Sequence, residues 1–507
     1  MSQTPLLTRA EATQYAETSR HADVMAFVRG LVDLGDPRLH VTDFGTTPEG
    51  RELPLLVLSA AGVATPEQAR QSGLPVVLIL CGIHAGEVEG KEAGLMLVRD
   101  LLIGAHGDLL SHMTLLLVPL FNADGNERIA PANRKLDIEH FEGQLGPESG
   151  VGTRTNAAGI NLNRDYMRQD APEMRLLQTR VMYPWNPHLT IDCHATNGSI
   201  HRYALTYDVP HTALSGRAEP VAYMREHLLP VVTEAVKRTE GLDTFWYGNF
   251  LRDEGGQGMG WITYTHHPRF GGNYRGLANR LDLLLETYAY IDFYHRVRTT
   301  YAFVRETLMH VAAHAGEIVE LLAACEMPAD EIAVRYRLEA FDDREVEILT
   351  RDPYTLEGEP VSVSVPYIGR FVAEHIVTRP LAYAVPTAIA EKLEGHGLVV
   401  ERPPVAPLLD AEIATVTALG SSAGRDILEA DASPWLEAHY QRQKRTLPDG
   451  WALVRTEQQR GAVAVYLCEP GSDDGLLACG WIDTPEPGDE FPAWRVLAID
   501  HPSTIVG

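Results

Sequence analysis

Apolar and polar positions alternate along the first 300 residues with two different periods. Ala22, Met25, Val28, Leu31 and Val32 fall on one face at helical spacing and predict a helix within residues 8–34. Strand-like segments follow at His40–Phe44 and Leu53–Leu58, joined by a Pro-Glu-Gly-Arg turn. The apolar run Val76–Cys81 predicts a buried strand, and Leu95, Val98 and Leu102 predict a helix near Glu89–Ile103. Thr114–Pro119 and His188–Cys193 predict two more strands, separated by a polar, glycine-rich stretch to Arg168 and a helix near Pro172–Tyr183. After another polar stretch, the apolar run Leu281–Leu285 leads into a helical pattern from Tyr288 to about Cys325. Strands separated by helices predict an α/β domain with a largely parallel core sheet.

The texture changes after residue 328. Short strand-like pieces broken by Pro and Gly appear at Val346–Leu349, Val361–Val365, Ala382–Val385, Leu398–Glu401 and Ala462–Leu467, with a turn at 402–407. With 507 residues the chain is long for one core. The expected division is therefore an α/β domain over 1–328 and a smaller, strand-rich α+β domain over 329–507.

Charge and cysteine content narrow the partners. The formal net charge of −26 argues against nucleic acid or an anionic membrane, because both attract basic surface. No apolar run approaches a membrane span, and the N-terminus lacks a basic region followed by an apolar one. Cys81, Cys193, Cys325, Cys468 and Cys479 are odd in number and scattered, with no Cys-x-x-Cys pair. A cytoplasmic setting without structural disulfides is the expectation.

The chemistry gathers at strand ends. His84 and Glu87 follow Gly82 directly after the apolar run, and an imidazole and a carboxylate three residues apart can converge on one zinc ion. Ligands of open α/β sheets sit outside the carboxyl ends of strands. The same four letters recur at His314-Ala315-Gly316-Glu317, but within the helical pattern and without a preceding strand, so His314 reads as a surface or packing histidine. A third ligand is expected from another strand end, and His194 lies at one. Gly159-Ile-Asn-Leu-Asn-Arg-Asp places Asn163 and Arg164 after a glycine turn, a pair suited to a free carboxylate. Glu286 ends the apolar run from Leu281, where burial would raise its pKa and suit a general base; taken singly, it fits a helix N-terminal acid equally well.

Taken in order, these motifs resemble the zinc metallocarboxypeptidases of the carboxypeptidase A and B type. The resemblance covers roughly residues 12–300 and includes Phe44-Gly-Thr-Thr-Pro-Glu-Gly-Arg51 and Asn122-Ala-Asp-Gly125. It implies a carboxypeptidase-like sheet flanked by helices, with one zinc per chain on His84, Glu87 and His194. It implies Glu286 as general base and acid, and Asn163 and Arg164 as the binders of a substrate's terminal carboxylate. The arginine that polarises the scissile carbonyl is expected at Arg134, with Arg128 the weaker candidate. Of two candidates for the tyrosine that closes over substrate, Tyr274 in its glycine-rich segment is preferred to Tyr264. A digestive role fits poorly, since secretory signal, propeptide and disulfides are all missing from the pattern.

The expected activity is hydrolysis of a C-terminal peptide or amide bond beside a free carboxylate. Two rivals stand beside it: a zinc deacylase of N-acyl amino acids, and an inactive module that captures peptide C-termini. The second is weakened because every matching position is filled. The side-chain pocket is expected between about Trp246 and Arg280, a stretch that includes Arg252, Asp253, Glu254, Arg269 and Arg275. For the C-terminal region three roles are open: shaping access to the site, forming a homo-oligomer, or binding a partner.

Overall fold

The computed structural model describes residues 6–252, 258–350, 361–422 and 433–500. Chain order gives β1 (Leu39–Thr46), β2 (Glu52–Leu58), β3 (Val76–Cys81), β4 (Thr114–Val118) and β5 (Leu189–Thr196). Next come β6 (Leu205–Asp208), β7 (Thr244–Trp246), β8 (Asn249–Arg252), β9 (Gly258–Ile262) and β10 (Leu281–Tyr288). The later strands are β11 (Glu331–Thr350), β12 (Val361–Thr378), β13 (Ala382–Pro386), β14 (Val400–Glu401), β15 (Leu408–Ser421), β16 (Pro434–Thr446), β17 (Trp451–Arg455) and β18 (Trp494–Asp500).

The central sheet has the order β1-β2-β4-β3-β5-β10-β6-β7. Its middle is parallel: β3 pairs in that sense with β4 and β5, and β5 with β10. Antiparallel pairs at β1–β2, β2–β4 and β6–β10 make it a mixed sheet. Strands β3 and β4 are buried at every residue, as expected of strands covered on both faces. Helices Glu89–Ile103 and Phe293–Ala313 pack against each other and cover the sheet. The fold is thus mixed α/β followed by strand-rich sheets.

The six-stranded sheet β14-β17-β13-β18-β15-β16 lies wholly after residue 380. The remaining sheet, β11-β12-β9-β8, combines strands from before and after residue 328. Among the described residues, no helix is long and apolar enough to cross a membrane. All five cysteines are buried thiols without disulfides.

Several elements differ from the pattern-based expectations, each for a local reason. The N-terminal helix is broken into Arg9–Ala12 and His21–Val32, because Gln14 and Tyr15 take positive φ values of 53° and 65°. The segment Ala462–Leu467, expected as a strand, is part of a helix, Gly461–Cys468, buried at every position. An element apolar all round carries no period to distinguish the two. The long helix expected from Tyr288 starts only at Phe293, where the Asp292 carboxylate accepts from the His295 amide at 3.0 Å. It breaks at His314, which stays exposed, its Nδ1 2.9 Å from Glu317 Oε2.

Candidate active site

Strand β3 ends at Cys81, and Gly82 turns the chain at φ 70°, a conformation that favours glycine. The turn carries His84 and Glu87, held by the Glu87 amide donating to the His84 carbonyl at 3.0 Å. The helix that follows lies so close to β5 that a Cβ on Gly90 would sit 2.4 Å from Cys193 Cβ. That close approach brings the turn to His194, which lies inside β5 rather than at its end. Strand β10 pairs in parallel with β5, setting Glu286 directly beside His194 and Leu284 beside Asp192. Since side chains two apart share a face, all four point to the same side of the sheet.

His84, Glu87 and His194 are buried, and each offers a donor atom within 4.8 Å of the others. Glu87 Oε2 lies 3.2 Å from His84 Nδ1 and 3.0 Å from His194 Nδ1. The outer ring nitrogens face elsewhere: His84 Nε2 is 3.0 Å from Asn161 Oδ1, and His194 Nε2 is 3.2 Å from Asp192 Oδ1. Outer partners of this kind fix the rings of metal-binding histidines and leave the inner nitrogens as donors. Two imidazoles and a carboxylate are a zinc donor set with room for a further ligand, so these residues fit that ion.

The titration behaviour follows from burial and neighbours. Burial lowers the His84 pKa to about 4, so the ring is neutral as a ligand must be. Burial would raise Glu87, but His84, His194 and Arg134 outweigh it and hold the carboxyl well below its usual range. For His194, too, burial is overcome, here by Asp192 and Glu87, which push the ring upward. Glu286 goes the other way. Burial, reinforced by Glu87 and opposed by His194 and two arginines, raises it to about 8.

Behind His194 runs a buried chain of charges. Arg275 Nη2 donates to Asp192 at 2.7 Å, its Nε pairs with Asp282, and its Nη1 donates to Tyr166 at 2.8 Å. Two carboxylates and one guanidinium thus brace the imidazole from the sheet side.

A cavity of about 440 Å³ opens over this group, lined by His84, Glu87 and Glu286 together with Arg134, Arg154, Asn163 and Arg164. Asn163 Oδ1 accepts from the Gly271 amide at 2.9 Å, and the Arg164 guanidinium lies 3.5 Å over the Phe270 ring. The two arginines nearest the donor set differ. Arg134, with its side chain 16% exposed, is tied by Nε to Gln144 at 2.8 Å, by Nη1 to Glu87 at 3.1 Å and by Nη2 to the Ala195 carbonyl at 3.3 Å. Arg154 is 45% exposed and touches the donors through Nη1 alone, 3.2 Å from both His84 Nδ1 and Glu87 Oε1.

Arg154 was not among the residues that the sequence pattern brought to this site. A signal existed: it opens Arg154-Thr-Asn-Ala-Ala-Gly-Ile-Asn-Leu-Asn-Arg164, the same turn that carries Asn163 and Arg164. Arg128 is away from the cavity, paired with Glu49 at 2.8 Å on the surface. The Asn122–Gly125 turn is a support. Asp124 accepts from Thr47 Oγ1 at 2.6 Å and Arg51 at 2.7 Å, and Asn122 reaches the Arg154 carbonyl at 3.4 Å.

Position separates Tyr274 from Tyr264. Tyr274 lies in the helix Gly271–Leu277, is buried, and its hydroxyl bonds Tyr183 and His396 at 2.8 Å each. Tyr264 lines the cavity, as does Tyr247. Within the stretch expected to form the side-chain pocket, Asn249, Ile262, Thr263, Phe270 and Gly272 line it, whereas Arg269 and Arg275 are engaged elsewhere. Asp253, Glu254 and the Arg252 side chain lie outside the described residues.

Residues 24–188 match the zinc carboxypeptidase family. The chain carries a zinc carboxypeptidase domain. The domain marks the chain as a metallopeptidase, and the matched family is zinc-dependent. Carboxypeptidase 2 of Trichophyton tonsurans is 23% identical over 482 residues, spanning 90% of this chain and 82% of that protein. Carboxypeptidase 2 of Trichophyton rubrum is 20% identical over 487 residues, with 88% and 81% covered. Among solved structures, bovine thrombin-activatable fibrinolysis inhibitor in complex with tick carboxypeptidase inhibitor is 14% identical with a TM-score of 0.43, covering 61% of this chain and 99% of that one. A metallo-carboxypeptidase from Burkholderia cenocepacia is 19% identical with a TM-score of 0.37, covering 57% and 69%.

Proposed function

We propose that this zinc carboxypeptidase removes the C-terminal residue of peptides bearing a free carboxylate. The observation that carries the reading is the register of β5 and β10, which sets Glu286 beside His194 and in the cavity that His84 and Glu87 also line. A proton acceptor next to a zinc site, with separate arginines for two charges, is the equipment of amide hydrolysis.

His84, Glu87 and His194 would hold zinc, which when bound polarises the scissile carbonyl and makes water more acidic. Glu286 takes a proton from the attacking water as its oxygen bonds to the carbonyl carbon. It then delivers that proton to the leaving nitrogen as the C–N bond breaks. Its raised proton affinity suits both steps, because a carboxyl poised near neutral pH accepts and returns a proton readily.

Arg154 rather than Arg134 is assigned to the developing oxyanion. Its guanidinium is the more exposed of the two and bonds the donor set by one nitrogen only. Arg134 is consumed in holding Glu87, Gln144 and the Ala195 carbonyl, so it positions a ligand. Asn163 and Arg164 bind the substrate's carboxylate, with Arg164 braced flat against Phe270, and so place the scissile bond over the triad. Tyr264 closes the far side.

The test is release of free amino acids from short peptides by the zinc-loaded enzyme, with N-acyl amino acids as competing substrates. Release of single C-terminal residues supports the reading. Turnover of acyl amino acids alone would replace it with a deacylase, and binding without turnover with a capture module.

A further inference from the structure

The outer wall of the cavity consists of β9, the loop 263–270 and the start of the helix Gly271–Leu277. Each of these is fastened to a residue beyond position 328. Strand β9 pairs in parallel with β12, Ile262 beside Ile368, and the Thr263 amide continues the ladder to the Ile368 carbonyl at 3.1 Å. The loop is held by consecutive acids: His266 Nε2 is 2.7 Å from Asp473 Oδ2, and Asp474 takes the Arg269 amide at 2.7 Å and its guanidinium at 2.9 Å. Arg269 also donates to Ser433 Oγ at 2.6 Å. In the helix, the Tyr274 hydroxyl meets His396 Nδ1 at 2.8 Å.

The donor triad is supported differently. Asn161, Arg154, Arg134 and Asp192, the partners of His84, Glu87 and His194, all precede residue 200. One side of the cavity therefore belongs to the first half of the chain, and the substrate-facing side is anchored by the second.

His266, His267 and Asp473 also offer three donor atoms within 4.8 Å, which raises the question of a second metal. Their bonds answer it. Asp473 Oδ2 is taken by His266, its Oδ1 accepts from the Tyr466 hydroxyl at 2.7 Å, and His267 Nδ1 lies 2.6 Å from Thr265 Oγ1. With those atoms already matched, the cluster reads as a buried polar joint between the two halves.

From this we infer that the C-terminal region is an intramolecular clamp on the substrate-recognition wall, with Asp473 and Asp474 as its positioning residues. The inference rests on the carboxypeptidase reading of the cavity. The path is short. Asp474 fixes Arg269; the next residue, Phe270, lies under Arg164; and the Gly271 amide bonds Asn163. Tyr264, two residues before His266, lines the same wall. Freeing the loop removes the backing of both carboxylate-binding residues and leaves the zinc donors untouched.

Asp474→Asn tests this, because the amide keeps the shape and one acceptor but loses the charge facing Arg269. The zinc-loaded protein should show faster amide hydrogen exchange over 263–277 with exchange over 76–91 unchanged, and a zinc content equal to wild type. KM for a free-carboxylate peptide should rise roughly tenfold while kcat changes little, and Asp474→Ala should go further. If Asp474→Ala does not fold, Ser433→Ala weakens the same anchor and should move both readings in the same direction by less. Unchanged exchange over 263–277 in Asp474→Asn would overturn the clamp, as would faster exchange with KM unaltered. Should wild type release no amino acid, the peptidase reading fails by itself. Exchange together with the affinity for 2-benzylsuccinate, a dicarboxylate probe of the same wall, then decides the clamp: weaker binding by Asp474→Asn supports it and equal binding refutes it.

Discussion

Replacing Glu286 with Gln should stabilise the metal-free protein while abolishing its activity. The folded chain holds the Glu286 proton until about pH 8, against 4.5 for an ordinary glutamate, because burial disfavours the anion. The folded state then binds more protons than the unfolded one, so stability falls as pH rises from 4.5 towards 8. Each unit in that window costs about 1.4 kcal/mol. At pH 7 the accumulated loss is about 3 kcal/mol, and at pH 5 it is under about 1 kcal/mol. Glutamine has the shape of the protonated acid and cannot ionise, so it removes this loss. Thermal unfolding of chelator-treated proteins should show the variant ahead by roughly 3 °C at pH 7 and close to level at pH 5. Loading zinc should shrink the gap, because a nearby cation favours the carboxylate. An equal gain at both pH values, or none at pH 7, would refute the assignment of a destabilised, function-bearing acid to this position.

The two arginines separate by what their loss removes. Arg154→Ala should cost about 3 kcal/mol of transition-state stabilisation, slowing turnover by roughly two to three orders of magnitude with zinc content retained. Arg134→Ala should instead weaken zinc retention and lower the unfolding temperature, since it strips Glu87, Gln144 and the Ala195 carbonyl of a shared donor. Asp192→Asn should reduce zinc affinity by roughly 10–100-fold, measured by competition with a chromogenic chelator, because it weakens the brace behind His194. Tyr264→Phe should change KM or kcat for peptide release, whereas Tyr274→Phe should lower the unfolding temperature and leave turnover of the folded enzyme near normal, in line with its bonds to Tyr183 and His396.

What the sequence made legible has a physical pattern. Strand β3 and the helix near Glu89–Ile103 were readable, because a wholly apolar run and a regular apolar face leave few alternatives. The residues His84, Glu87, His194 and Glu286 were visible because each follows or ends such a run, and the structure brings all four to one place, His194 beneath the cavity and the others lining it. Ala462–Leu467 misled because a helix buried on every side looks like a buried strand. Arg154 was hidden by chain distance. Nothing local says which arginine in a long polar stretch folds back to the triad, and that is settled by the turn on which Asn122 holds the Arg154 carbonyl. Tyr274 looked mobile beside its glycines, yet Gly271 sits against Tyr166, where a Cβ would come within 2.8 Å of the ring. There the glycines serve close packing instead of motion. The grip of the C-terminal region on the loop 263–270 had no local signature, since its partners lie about 200 residues apart.

Assigning Glu286 as the proton carrier of a zinc carboxypeptidase is tested most directly by a paired assay of wild type and Glu286→Gln. Each protein has its zinc content measured and is given a mixed library of short peptides. The expected result is one zinc per chain in both, release of single C-terminal amino acids by wild type, and none by the variant. Substantial release by the variant, or no release by a wild type holding its zinc, would contradict the assignment.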